Sequence, residues 1–200
     1  MRYTLKILFS ESEIHEKVQK AGHLLSQKFQ GQYPIFLSTL KGSVVFSSDL
    51  IRCVQIPLRL EFIEVSSYDG NKSSNSFQLT KEPHSAGGNP VCIVEDILDT
   101  GRTAEFLFDY LKEKGDTNVI LITLLNKKEK NQIPCEFSLF DIADEFAVGY
   151  GMDYRQIFRN LPCIAVLTEE VQKLIDKEPE NFSRASFLID DEKRSVYIDL

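Results

Sequence analysis

The run Val91-Cys92-Ile93-Val94-Glu95-Asp96-Ile97-Leu98-Asp99-Thr100-Gly101-Arg102-Thr103 leaves this chain few folds to choose from. Its apolar first half has the length and composition of a strand buried on both faces, which belongs in a parallel sheet. The strand meets two carboxylates, and a small-residue turn from Asp99 to Thr103 then opens a helical pattern from Ala104 to Lys114. Backbone N–H groups of such a turn at a helix start point outward and carry positive dipole, so residues 99–103 can cradle a phosphate dianion. Glu95 and Asp96 fall at the strand's carboxyl end, where open α/β sheets place their ligands. That is the layout of a site for a phosphorylated sugar.

The rest of the chain repeats the alternation of strand and helix. Ser10 or Ser12 can cap a helix whose apolar positions Ile14, Val18, Ala21, Leu25 and Phe29 recur at helical spacing, with Gly31 placed to end it. Pro34 opens a buried-type strand, Ile35 to Leu40, which runs through Lys41-Gly42-Ser43 into a helix from Val44 to about Cys53. Leu58 to Val65 reads as another strand, followed from Ser66 to Asn89 by a polar stretch that only Phe77-Gln78-Leu79 interrupts. Loops of that length inside compact domains are lids, binding loops or disordered segments. Strands are expected again at Val119 to Leu125 and Ile164 to Leu167, with shorter apolar stretches at Phe137 to Phe140 and Phe146 to Val148. In the last thirty residues Val171 to Ile175 continues a helix that Pro179 ends. Beyond it, Phe187-Leu188-Ile189 and Val196-Tyr197-Ile198 flank a charged turn as in a β-hairpin. The fold class implied is α/β, a mostly parallel sheet covered on both faces by helices.

Composition narrows the partners. Two hundred residues with 42% hydrophobic content suit one domain with a sizeable core. A net charge of -7 argues against a general nucleic-acid binder or a binder of anionic membranes, which rely on clustered Lys and Arg. An anionic ligand must then be held by local devices such as the turn at 99–103. Cys53, Cys92, Cys135 and Cys163 show neither CxxC pairing nor zinc-ligand spacing, and His15, His23 and His84 do not cluster with them, so reduced thiols are expected. The N-terminus lacks the apolar core of a signal peptide and no window reaches the roughly 20 apolar residues of a spanning helix, which leaves a cytoplasmic location as the default.

The stretch from Val91 to Thr103 resembles the phosphoribosyl diphosphate signature of the type I phosphoribosyltransferases: four apolar residues, two acids, two apolar residues, a variable residue, Thr-Gly, any residue, Thr. The variable residue is aspartate in the hypoxanthine-guanine branch, so Asp99 implies a 6-oxopurine substrate. The resemblance covers roughly residues 5 to 170. It implies the type I fold, with a small hood and a flexible lid loop, as a phosphoribosyltransferase domain over 1–170. Residues 171–200 are left as an extension made of a helix and a possible β-hairpin. It also implies a homodimer or homotetramer, with phosphoribosyl diphosphate (PRPP), hypoxanthine and guanine as small-molecule partners.

Residue by residue, the resemblance assigns PRPP to Glu95, Asp96, Asp99, Thr100, Gly101, Arg102 and Thr103. Leu40-Lys41-Gly42-Ser43 is similar to the family's pyrophosphate loop, whose bond into the lysine is often a non-proline cis peptide. Lys41, Gly42 and Arg159 would bind pyrophosphate, Arg159 with a fork geometry that lysine does not offer. Lys127 matches the lysine that donates to the purine 6-oxo group, Phe146 the stacking platform, and Ala147 and Asp153 backbone contacts to the base. Glu95, Asp96 and Asp153 would serve Mg²⁺, the one cofactor implied. Ser67 and Tyr68 match the mobile lid that covers a reactive oxocarbenium-like carbon. Asp99 would be the catalytic residue, the general base at purine N7 as N9 attacks the ribose. Two alternatives stay open. One is a regulator that keeps the fold to bind nucleotide and RNA, against which stand Asp99 and the lack of a basic stripe. The other is a salvage enzyme whose best base is xanthine or guanine.

Overall fold

The computed structural model describes residues 2–68, 76–79, 83–84 and 86–200. They form two compact units, Val18–Asp144 and a second unit made of Met1–Lys17 with Glu145–Leu200. The division runs through α1 (Glu11–Lys28). Ser10 and Glu13 begin this helix as a capping box: the Glu13 N–H donates to Ser10 Oγ (3.3 Å) and the Ser10 N–H to Glu13 Oε2 (2.7 Å).

The larger unit holds strands β2 (Ile35–Leu40), β3 (Arg59–Tyr68), β4 (Ser76–Leu79), β5 (Val91–Leu98), β6 (Val119–Asn126) and β7 (Phe137–Asp141), with helices α2 (Val44–Cys53) and α3 (Arg102–Glu113). The sheet order is β4-β3-β2-β5-β6-β7. Every pairing from β3 through β7 is parallel, which gives five parallel strands flanked by helices, and β4 closes one edge antiparallel to β3. From β2 the chain crosses to β3 on one side, and from β5 to β6 on the other. The β2/β5 junction is therefore the point where strand order reverses, and the segments leaving both strands open a crevice there.

The apolar runs read from the sequence pack as buried parallel strands must. Ile35 and Leu37 of β2, Val91 and Ile93 of β5 and Leu121 of β6 share one core cluster with Ala104, Leu107 and Leu111 of α3. Those three α3 residues, spaced by three and four, set the helix's apolar stripe against the sheet. The strand read as Leu58 to Val65 runs on to Tyr68, because the polar residues 66–68 pair with the returning β4. Ser67 and Tyr68 thus lie at the end of β3. The remainder of the expected lid, residues 69–75, lies outside the described residues.

The smaller unit is an antiparallel sheet of order β10-β11-β1-β9-β8. Its strands are β1 (Arg2–Phe9), β8 (Ala147–Val148), β9 (Ile164–Val166), β10 (Ser186–Asp190) and β11 (Ser195–Asp199), with helices α4 (Glu169–Lys177) and α5 (Pro179–Phe182) between β9 and β10. Pro179 opens the short α5, in keeping with its fixed φ and absent N–H at a first helical position. β1 lies between β11 and β9, with Leu5 opposite Val196 and Ile7 opposite Ala165. Leu5, Ile7, Val196 and Ile198 join Val171, Ile175 and Phe182 in one core. Arg194 ties the hairpin to the first strand and helix, donating to the Leu8 carbonyl and to both carboxylate oxygens of Glu13 (3.2 and 3.1 Å). Among the described residues no helix is long and apolar enough to cross a membrane.

Candidate active site

The crevice at the β2/β5 junction is a cavity of about 310 Å³. Thr39, Leu40 and Gly42 line it from the β2 side, and Glu95, Asp96 and every residue from Asp99 to Ala104 from the β5 side. The turn into α3 depends on Gly101, which has φ +77 and would put a Cβ 2.3 Å from Ile133 Cγ1. Only glycine meets both demands. Gly101 is also the residue before the helix, so α3 starts with no side-chain cap, and its first-turn N–H groups are left for a bound anion.

The acid pair is set asymmetrically. Glu95 is buried; its Oε2 accepts a hydrogen bond from Thr39 Oγ1 at 2.7 Å, while its Oε1 is buried with no hydrogen-bond partner. Burial, reinforced by the neighbouring Asp96 charge and opposed by the Thr39 bond, pushes the Glu95 carboxyl up to about 8. Asp96 is half-buried and packs against the β2 loop so closely that a Cβ on Gly42 would sit 1.7 Å from its Oδ2. Beneath that loop a buried hydroxyl chain joins Ser38 to Ser43 (2.7 Å) and to Ser47 (2.6 Å), and Ser43 donates to the Thr39 carbonyl. The Leu40–Lys41 peptide is cis. The Lys41 side chain is exposed and is not among the groups lining the cavity.

Lys127 follows β6, and its side chain is only 7% exposed. Its Nζ lies 2.9 Å from Asp99 Oδ2 and 3.2 Å from Asp144 Oδ1. Lys130 completes the cluster at 2.5 Å from Asp144 and 3.5 Å from Asp99 Oδ1, and these two ammonium groups hold the Asp144 carboxyl below its ordinary range. The structure thus brings the proposed base-reading lysine directly onto the proposed general base.

Two residues that sequence reasoning passed over support this arrangement. Thr39 leaves one Glu95 oxygen for the cavity by holding the other. Asn131 spans two loops: its Nδ2 approaches the carbonyls of Leu98 (3.2 Å), Asp99 (3.0 Å) and Lys127 (3.1 Å), and its Oδ1 accepts from the Ile133 N–H (3.3 Å). No local pattern marks either one, since each bonds to residues far away in the chain.

The remaining expected residues lie in the smaller unit. Phe146 is 44% exposed, and its ring meets that of Tyr154 edge-to-face with centroids 5.5 Å apart. Ala147 is buried in β8. Asp153 and Arg159 form an ion pair at 2.6 Å; Asp153 Oδ2 accepts from the Gln156 N–H (2.7 Å), and Arg159 donates to the Gly151 carbonyl (2.7 Å).

Comparison with known proteins agrees with this architecture. A family model described as phosphoribosyl transferase domain matches residues 10–155. The chain is 42% identical over 170 residues to the hypoxanthine-guanine phosphoribosyltransferase of Lactococcus lactis, covering 83% of this chain and 92% of that protein. It is 39% identical to the enzyme of the same name from Streptococcus pneumoniae, covering 83% and 94%. Among solved structures, a hypoxanthine phosphoribosyltransferase from Staphylococcus aureus superposes with a TM-score of 0.79 at 36% identity, over 83% of this chain and 92% of that one. With its five parallel strands, its acid pair and its glycine-centred turn at the sheet's reversal point, the chain belongs to the phosphoribosyltransferase family.

Proposed function

We propose that the chain catalyses purine salvage, transferring the phosphoribosyl group of PRPP to N9 of hypoxanthine or guanine to give IMP or GMP and pyrophosphate. The observation that carries this reading is the pairing of Lys127 Nζ with Asp99 Oδ2 at 2.9 Å beside the glycine-centred turn. An ammonium next to a carboxylate is a donor next to an acceptor. A 6-oxopurine protonated at N7 presents the complementary edge, an acceptor at O6 beside a donor at N7, whereas adenine offers a donor where Lys127 requires an acceptor.

In this reading the backbone of Asp99 to Thr103 holds the 5′-phosphate, and Glu95 and Asp96 take the ribose hydroxyls. Lys41, Gly42 and Arg159 would bind the pyrophosphate, where positive charge and N–H donors stabilise the leaving group. Asp99 takes the N7 proton as N9 attacks, and Phe146, Ala147 and Asp153 hold the base. Ser67 and Tyr68 cover the reacting carbon against water. The carboxylates of Glu95 and Asp96 are hard oxygen donors of the kind magnesium accepts, and the unpartnered Glu95 Oε1 fits such a charge. Among the described residues no cluster of three or more metal-ligating side chains converges, so a bound Mg²⁺ would draw its other ligands from substrate oxygens and water. Bound there, or at Asp153, it would offset negative charge on the departing pyrophosphate. We place the protein in the cytoplasm as a homodimer or homotetramer, with residues 171–200 an extension to a catalytic domain over 1–170.

The test is initial-rate kinetics with PRPP and Mg²⁺ on hypoxanthine, guanine, xanthine and adenine, for wild type and Asp99→Asn. Turnover of hypoxanthine and guanine but not adenine is expected, with a kcat loss of roughly 10²-fold or more in the variant. Turnover of none of the four bases would remove the enzymatic reading and leave a nucleotide-binding regulator in its place.

A further inference from the structure

Helix α4 lies in the stretch of chain for which the family resemblance supplies no role. Its inner face is anchored, with Val171 and Ile175 buried in the smaller unit's core and Thr168 Oγ1 accepting the Val171 N–H at its start. Its outer face carries Asp176. Tyr154 Oη donates to this carboxylate (2.9 and 3.0 Å to its two oxygens), and Arg155 Nε donates to it as well. Both partners belong to a two-residue turn closed by mutual backbone bonds between Tyr154 and Ile157 (3.2 and 3.0 Å).

That turn needs outside support. Its central residues, Arg155 (φ +50) and Gln156 (φ +66), are both in the left-handed region, which tight hairpin turns ordinarily fill with Gly, Asn or Asp. The Gln156 N–H is held by Asp153 Oδ2, so one central residue is fixed from within the loop. Arg155 and the flanking Tyr154 are fixed by Asp176. The Tyr154 ring in turn stands against Phe146, whose other surroundings leave it 44% exposed.

We propose that Asp176 is a positioning residue for purine binding: through Tyr154 and Arg155 it clamps the 154–157 turn and so fixes the tilt of the Phe146 ring. This rests on the reading of Phe146 as the platform for the base. It gives the extension a task in the reaction, since the helix that follows β9 supplies the anchor for a strained loop that the catalytic domain holds at one side only. The ion pair of Asp153 and Arg159 touches the same turn through Gln156, whose N–H donates to Asp153 Oδ2 and whose Oε1 accepts from Arg159 (3.1 Å). Arg159 is also held by the Gly151 carbonyl, so the pyrophosphate side has anchors that do not pass through Asp176.

The test uses the full chain with Asp176→Ala, Tyr154→Phe, the double variant and Phe146→Leu, measuring kcat, the KM of each substrate and Tm. Asp176→Ala should raise the KM for hypoxanthine by about three- to tenfold with the KM for PRPP within about twofold of wild type. Tyr154→Phe should reproduce part of that effect, and the double variant should be no worse than Asp176→Ala, because the two changes cut one connection. An unchanged hypoxanthine KM in Asp176→Ala would overturn the proposal. So would a joint rise of both KM values with a falling Tm, the mark of a general structural brace. A Phe146→Leu variant with a wild-type KM for hypoxanthine would instead remove the platform reading itself.

Discussion

Replacing Glu95 by Gln should stabilise the substrate-free protein, and the gain should grow with pH. The Glu95 side chain is buried, its Oε1 lacks a partner, and its carboxyl ionises near 8 instead of near 4.5. Between those two values the folded protein keeps a proton that the unfolded chain has released. The stability associated with that proton is complete below about 4.5 and is lost as pH rises toward and through 8. At about 1.4 kcal/mol per unit, the gap sets a ceiling of roughly 5 kcal/mol. The carboxyl lines a cavity that water can enter, so about 2 kcal/mol is the expected size, or roughly 4–8 °C of Tm for a protein of this length. Gln keeps the shape and can still accept from Thr39, but it has no charge to bury. Thermal unfolding of metal-free wild type and Glu95→Gln between pH 5 and pH 9 is the assay. The two Tm curves should lie closest at the acid end, diverge steadily as pH rises toward about 8 and keep a constant gap above it, with the variant higher. Parallel curves, or a variant less stable than wild type at pH 8.5, would refute the argument that burial of this charge opposes folding. The same variant should turn over poorly, since the amide offers substrate hydroxyls and cation a weaker acceptor; function would then be the reason the fold carries an acid it holds at a cost.

Gly42→Ala should abolish most turnover while the protein still folds, because the new Cβ would fall 1.7 Å from Asp96 Oδ2 and displace either the loop or the carboxylate; a KM for PRPP and a kcat at wild-type values would contradict it. Asn131→Leu removes the donors that join the carbonyls of Leu98, Asp99 and Lys127. It should cost about 1–3 kcal/mol of stability and roughly tenfold or more in kcat, read by denaturant unfolding and steady-state rates.

Much of this architecture was legible because its signals are local. The apolar runs 35–40 and 91–94 announce parallel strands, the second continuing through the acid pair to Leu98. Ser43 marks the start of α2 at Val44, and α3 starts at Arg102, two residues before the helical pattern read from Ala104. β1 was missed although Leu5 and Ile7 alternate with Thr4 and Lys6, since eight residues become a strand only when β9 and β11 arrive from the other end of the chain. The extension of β3 to Tyr68 has a related reason: Ser66-Ser67-Tyr68 shows no apolar alternation in the sequence, and it is pairing with β4 that extends the strand. At the site, the acid pair and the turn could be read from types and spacing. Thr39, Asn131 and Asp176 could not, because each matters through hydrogen bonds to positions 56, 33 and 22 residues away. Lys127 is marked by its match to the family lysine, while its burial against Asp99 is visible only in the fold.

The central place of β1 in the smaller sheet bears on how the chain is made. β1 leaves the ribosome well before β9 and β11, the two strands that flank it in the sheet. At about 5–20 residues per second, β1 waits roughly 10–40 s for its neighbours, while residues 18–144 already have what they need to close. During that interval Leu5, Ile7 and the backbone of an unpaired strand are open to other nascent chains. The alternation of Thr4 and Lys6 with these apolar residues is then a safeguard for the delay as much as a pattern for the finished sheet.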